Sequence, residues 1–340
     1  MTYSDDEFVA RLPKVELHVH LEGSLQPSTL LQLLGKHGDL PALRAIPRSA
    51  EGLREWYAFR DFAHFIEVYL ASVEALRDPE DFELLARTAA DALAAQRVRY
   101  AEVTWSPQLH LGRGLSLPDV FAGLEAGRVA AEAEHGIVLR WVTDVSGHLP
   151  VEAADRALDA VLALEAPSVI GFGLGGPEVD RAPFAPVFRR ARAAGLRSLP
   201  HAGEVTGPDS IRSALDDLGA ERIGHGIAAV RDPELLARLA REQVVLEVCP
   251  TSNVRTRVVA SLAEHPLRRL LDAGVPVTVA SDDPPMFGTT LNREHLACLR
   301  ELGLTRAQLA ETVAVGVRAG SAPEPVRAGL LAELAALPLD

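Results

Sequence analysis

Eight short apolar runs, each followed by a longer stretch rich in Ala, Leu, Arg and Glu, constrain this chain more than any other feature. The runs cover 15–20, 98–105, 138–144, 169–174, 197–201, 222–225, 244–248 and 276–281. Helical patterns lie between them at 27–36, 79–95, 117–134, 152–165, 182–194, 209–218, 233–241 and 266–273, with Pro, Asp or Thr near their starts and Gly after several of their ends. A strand that alternates with a helix requires a parallel sheet built of βαβ units. Eight such units predict a closed (β/α)8 barrel of the TIM type, with an open doubly wound sheet as the other solution.

Two segments exceed what the barrel needs. The helical stretch 52–95 is longer than one crossover and predicts extra helices between the first two strands. The stretch 293–337 predicts a helical C-terminal tail packed on the outside. No repeat period and no low-complexity linker interrupts the chain, so residues 1–340 read as one domain. Apolar residues at 48% and charged residues at 24% fit a globular enzyme with a large core.

A formal net charge of -13 disfavours nucleic acid and anionic membrane, both of which require a basic footprint. The start of the chain is polar and acidic, without the basic and apolar regions of a secretory signal, and no run is long and apolar enough to span a bilayer. Cys249 and Cys298 are too few and too far apart for a disulfide framework, which points to a reducing, cytoplasmic setting. The expected partner is a small molecule; nothing in the sequence specifies an oligomeric state.

In a barrel of this type the reactive groups sit just past the C-terminal ends of the strands. His18 and His20 end the first run, and their spacing of two places both on one face of a strand. His201 ends the fifth run with Glu204 three residues on, His225 ends the sixth between two glycines, and Ser281-Asp282-Asp283-Pro284 ends the eighth. Three histidines and one carboxylate (His18, His20, His201 and Asp282) make a sensible zinc site with a position left for water. Any one of them alone is as well read as a packed histidine or a capping acid. Two adjacent acids at an apolar strand end need a metal or a proton to relieve them.

Glu204 is placed to act as a general acid and base beside activated water rather than to cap the helix at 209–218, because Gly207 and Pro208 intervene. His225 either orients or deprotonates that water or is a fourth nitrogen ligand; the sequence leaves both open. His37, His64, His110, His135, His265 and His295 fall in helices or loops, where exposure or capping is the expected role, and His148 follows the third run without a motif around it. Gly171-Phe-Gly-Leu-Gly-Gly176 matches the dinucleotide fingerprint in letters only, since Pro177 and Pro183 replace the helix start the motif requires. Its glycines instead allow backbone N–H groups close to a flat ligand. The same strand end offers no side chain to bridge two metals, which favours one metal per chain. The aromatic run Tyr57, Phe59, Phe62, Phe65 and Tyr69 reads first as core, with one edge available to cover a planar substrate.

With these residues assembled, the chain resembles the adenosine/AMP deaminase family, through blocks at 13–23, 171–178, 201–204, 222–226 and 247–253 and through Ser281–Pro284. The resemblance implies one zinc held by His18, His20, His201 and Asp282, and hydrolytic deamination of a 6-aminopurine. It implies that Glu204 gives a proton to purine N1 while His225 and Asp282 activate the water that attacks C6. Gly176 N–H and Asp283 would hold the base at N3 and N7, and His20 and Glu22 would face the substrate, Glu22 on the N9 side. The alternative zinc deaminase design with P-C-x-x-C is absent.

Two positions depart from adenosine deaminases proper, which usually carry Asp where this chain has Glu22 and where it has Pro177. The Ser-Ser-Glu-like block of adenine deaminases is also missing. The Gly-Leu-Gly-Gly-Pro-Glu version looks most like bacterial members proposed to deaminate 6-aminodeoxyfutalosine in menaquinone synthesis. Adenosine or 6-aminodeoxyfutalosine is therefore the expected substrate, with adenine, or the ester or lactam of a two-metal amidohydrolase, as alternatives.

Overall fold

The computed structural model describes residues 3–339; Met1, Thr2 and Asp340, the ends of the predicted domain, lie outside the described residues. Its strands are β1 Lys14–His20, β2 Val98–Trp105, β3 Val138–Ser146, β4 Val169–Gly175, β5 Arg197–Ser198, β6 His201–Ala202, β7 Arg222–His225, β8 Val245–Val248 and β9 Val277–Val279. All pairings are parallel, in the orders β1-β2-β3-β4-β5 and β6-β7-β8-β9. The predicted fifth strand is thus split, and Pro200 explains the break, since it has no N–H to offer a ladder. Leu199 N–H still donates to Phe172 O at 3.0 Å, and Pro200 O still accepts from Gly224 N–H at 3.0 Å, so the run crosses from one sheet to the other in step.

The other edge is stitched at the functional end. Val19 and Asp282 form an isolated parallel bridge, with His20 N–H to Asp282 O at 2.9 Å and Asp282 N–H to His18 O at 3.1 Å. The end of the last strand run is therefore bonded to the end of the first, which gives the barrel architecture and brings His18, His20 and Asp282 together.

Helices cover the strands, and their starts obey local rules. Pro79–Ala94 opens with the Asp78/Asp81 capping box and returns the chain to β2, packed against Leu117–His135. Ala50–Trp56 and Phe62–Val73 are the expected extra helices between β1 and β2. The second starts at Asp61, whose carboxylate accepts from His64 N–H at 2.9 Å. Large side chains such as Trp105, Trp141, Phe82 and Phe188 are almost fully enclosed, each worth about 1.5–3 kcal/mol in water-to-core transfer.

The tail does more than pack outside. Arg306–Ala319 lies against β1 and β9 so closely that a Cβ on Gly316 would stand 2.6 Å from Thr278 Oγ1 and 2.8 Å from Val15 Cγ2. Just beyond it, Ala319 O and Ser321 N–H bond to Arg222 and Glu102 inside the barrel. Among the described residues no helix is long and apolar enough to cross a membrane.

Candidate active site

One cavity opens at the C-terminal ends of the strands, about 760 Å³ in extent. His20, His201, Glu204, His225, Asp282, Asp283 and Gly176, each expected from the sequence, line it together. His18 sits just beneath, 3% exposed, with its Nε2 buried and lacking any hydrogen-bond partner. Its Nε2 is 3.5 Å from Asp282 Oδ1, and the Nε2 atoms of His20 and His201 face each other at 3.2 Å. Ring nitrogens turned inward on one another and on a carboxylate are the arrangement a cation relieves. His18, His20 and His201 form one group able to hold a metal, and His18, His225, Cys249 and Asp282 form an overlapping one. Burial holds the Cys249 thiol well above its usual range, so it is a poor ligand in that second group. The donor set fits a single zinc-like ion.

Backbone strain marks the same place. His225 has φ 61° and Asp282 φ 65°, both in the left-handed region that non-glycine residues seldom adopt. His225 is flanked by Gly226 at φ 69°. Its Nδ1 lies 3.1 Å from Asn253 Nδ2, whose other amide atom is 3.2 Å from His265 Nε2. With Nδ2 turned toward His225, Nδ1 accepts and the ring proton sits on Nε2, facing Glu204 Oε2 at 3.6 Å and Asp282 Oδ2 at 3.9 Å. Burial lowers the His225 pKa to about 4, which keeps the ring neutral near pH 7. Burial, then the neighbouring charge of Asp282, pushes the Glu204 carboxyl well above the usual range. Despite its own burial, Asp282 is held well below that range by the His18 and His20 imidazoles, whose Nε2 atoms approach its Oδ1 at 3.5 and 3.3 Å. Two carboxyls in one cavity are thus shifted in opposite directions, Glu204 upward and Asp282 downward.

Glu178 shapes the Glu204 loop. Its carboxylate accepts from Val205 N–H at 3.0 Å and Thr206 N–H at 2.6 Å, and is paired with Arg181 at 3.0 Å. Behind His18, Nδ1 contacts Glu247 Oε2 at 3.0 Å, Glu247 Oε1 accepts from Arg222 Nε at 2.5 Å, and Arg222 also pairs with Glu102. Such a carboxylate fixes the tautomer and aim of a ligand histidine.

Several residues stand elsewhere than the sequence placed them. Glu22 is 1% exposed and does not line the cavity; its Oε1 accepts from Ser106 N–H at 2.9 Å and meets His110 Nε2 at 2.9 Å. His110, His265 and His295, expected to be exposed or capping, are 1%, 5% and 1% exposed, because each lies on the inward side of its segment. Of the aromatic run, Phe62, Phe65 and Tyr69 line the cavity, while Tyr57 and Phe59 are buried in the core cluster. Asp144, Gln108, Ser146 and His148 also line it, and no motif in the sequence pointed to them. Asp144 was findable, since it closes the third predicted run as His20 closes the first.

The model of the family described as Adenosine deaminase matches residues 13–337. The chain belongs to the adenosine deaminase family. That family consists of hydrolytic C–N deaminases, and the chain is an enzyme of this kind. An aminodeoxyfutalosine deaminase from Streptomyces coelicolor is 47% identical over 333 residues, covering 96% of this chain and 84% of the relative. An adenine deaminase from Rhodospirillum rubrum is 40% identical, covering 98% of this chain and 99% of the relative. Among solved structures, adenine deaminase from Arthrobacter aurescens superposes with a TM-score of 0.90 at 36% identity, over 95% of this chain and 98% of that one. An amidohydrolase from Burkhoderia ambifaria with bound Zn gives 0.89 at 28% identity, over 98% of this chain and 93% of that one.

Proposed function

We propose that the protein is a zinc-dependent deaminase that replaces the 6-amino group of an adenosine-type purine nucleoside by oxygen and releases ammonia. The observation that carries this reading is the buried Glu204 carboxyl on the same cavity as His20, His201, His225 and Asp282, with His18 just beneath. An aromatic amine leaves poorly, so the ring must gain a proton and the water must lose one. The ion, held by His18, His20, His201 and Asp282, supplies a lowered water pKa when bound.

The residues divide the remaining work. Glu204 donates to ring N1, which makes C6 electrophilic. His225 Nε2 orients the attacking water, and Asp282 takes its proton. Gly176, which lines the cavity, offers its N–H to N3, and Asp283 meets N7. Burial and the neighbouring Asp282 raise the Asp283 pKa well above the usual range, which favours the protonated form that can donate to that nitrogen. The amine departs as ammonia once C6 is tetrahedral, taking the proton that Asp282 received from the water, while the C6 hydroxyl becomes the 6-oxo group by returning a proton to Glu204.

The N9 group is read from the opposite wall. Phe62, Ile66, Leu70 and Leu109 give the mouth an apolar lining suited to a bulky, partly apolar extension. Glu22 acts on that side through Ser106 and Tyr69, which line the cavity as Glu22 does not. This favours 6-aminodeoxyfutalosine, the substrate class in the name of the Streptomyces coelicolor relative, and a place in menaquinone synthesis. Adenine is the second reading, on the strength of the Rhodospirillum rubrum relative. The buried, unpaired Cys249 and Cys298 are in keeping with work in the reducing cytoplasm.

The deciding experiment compares kcat/KM of the zinc-loaded protein on adenosine, adenine and 6-aminodeoxyfutalosine, followed by absorbance change and ammonia release. Preference for the last supports the reading. Preference for adenine moves the substrate, and inactivity on every 6-aminopurine overturns the function.

A further inference from the structure

We infer that Asp144, on β3, is the positioning residue for His201: it accepts a hydrogen bond from His201 Nδ1–H and so aims Nε2 at the metal. The inference rests on reading His201 as a metal ligand.

Three observations meet at this point. First, His201 turns its Nε2 inward toward His20, at 3.2 Å, so Nδ1 is its outer nitrogen. That Nδ1 is buried and has no partner, whereas the outer nitrogen of His18 has Glu247 at 3.0 Å. A ligand histidine with a free outer N–H is the unusual case, since the ring then has nothing to fix its tautomer or its aim. Second, Asp144 is 5% exposed, and its Oδ1 is buried without a hydrogen-bond partner. His201 Nδ1 and one edge of the Asp144 carboxylate are therefore both buried without a partner.

Third, the glycines of β4 place the two side by side. Asp144 is in register with Gly173, and Ser146 with Gly175. A Cβ on Gly173 would stand 2.6 Å from Asp144 Oδ1. A Cβ on Gly175 would stand 2.2 Å from Asp144 Oδ2 and 3.2 Å from His201 Nδ1. The carboxylate and the ring nitrogen thus border the one space that Gly175 keeps empty by having no side chain. Gly173 and Gly175 both serve a steric purpose here, because a larger residue at either would meet the Asp144 carboxylate. Asp144 is absent from every group of residues able to hold a metal, which separates positioning from ligation.

The test measures zinc affinity by chelator competition for wild type, Asp144→Ala, Asp144→Asn, Gly175→Ala and His201→Ala. It also follows the His201 Nδ1–H resonance in zinc-loaded protein labelled with 15N-histidine. Asp144→Ala is expected to bind zinc about 10–100-fold more weakly, with the Nδ1–H signal moved or lost and KM little changed. Asp144→Asn, which keeps an acceptor oxygen, should recover part of the affinity, and Gly175→Ala should resemble Asp144→Ala. The metal-free melting temperature of each variant reports folding, so that a loss of zinc affinity at an unchanged melting temperature is not a loss of fold. Zinc binding by Asp144→Ala as tight as wild type overturns the inference. So does a raised KM with unchanged zinc affinity, which would make Asp144 a substrate contact. If His201→Ala binds zinc as well as wild type, the ligand reading itself falls and takes this inference with it.

Discussion

Glu22 Oε1 and His110 Nε2 lie 2.9 Å apart, and both side chains are 1% exposed. The bonds to His110 and to Ser106 N–H outweigh desolvation and hold the Glu22 carboxyl below its usual range. A carboxylate so enclosed cannot be removed without leaving its partners unsatisfied. Arg113 Nη2 donates to His110 Nδ1 at 2.8 Å, so the ring is neutral and gives its Nε2–H to Glu22, and Glu22→Ala should destabilise the protein by about 2 kcal/mol, in the range for leaving buried hydrogen-bond partners unsatisfied. Urea unfolding measures this; a loss under half that size would mean the pair is not sealed from water.

Glu204→Gln should keep its zinc, because Glu204 is not among the ligand groups, yet lose about 10²–10⁴-fold in kcat. The sign of the pH profile follows from the same residue. Glu204 must be protonated to donate, so kcat/KM should fall as pH rises through its raised pKa. At the acid side it should fall again toward about pH 4, as the His225 ring gains a charge. Near-full activity of Glu204→Gln, or a profile that keeps rising with pH, contradicts the role.

Gly23→Ala tests Asp283. A Cβ there would stand 1.6 Å from Asp283 Oδ1, closer than any contact a structure tolerates, so the carboxyl must shift from its place in the cavity. Zinc content should persist while KM rises sharply. An unchanged KM would separate Asp283 from substrate binding.

His295 gives a stability prediction away from the chemistry. It is buried with an unpaired Nδ1, and burial lowers its pKa from the ordinary 6.5 to about 3. The unfolded chain binds this proton first, so stability should drop as pH falls below 6.5. His295→Gln should flatten the fall of melting temperature with pH in that window. Equal slopes in both proteins would show that His295 charges as readily folded as unfolded.

Phe62→Ala should raise KM more for a substrate with a bulky N9 group than for adenine, because Phe62 lines the cavity but belongs to the added helix Phe62–Val73. Parallel KM values for the two substrates with each protein check it. An equal effect on both would place Phe62 against the base.

The site residues were legible because barrel geometry turns sequence position into spatial position. A residue at the C-terminal end of any parallel strand faces the same opening, so His18, His20, His201, His225 and Asp282 could be gathered from separate segments by their order along the chain. The period of two on β1 decided that both its histidines point inward. His110 and Glu22 were misplaced for the opposite reason. Their burial depends on which side of a short helical turn meets the core, and six residues of Pro107–Gly112 carry too little periodicity to say.

By itself, then, the sequence determined the strand–helix alternation and, through its motifs, the family, and local period and order along the chain gathered the candidate metal-binding and acid residues at the strand ends. Only the tertiary structure decided what stands behind them. Glu247 meets His18 across 229 positions and Arg222 joins Glu247 to Glu102, while Asp144 approaches His201 through the gap at Gly175. Those neighbours come from different strands, and their meeting depends on register and on the absence of a side chain. Neither is written in any one segment.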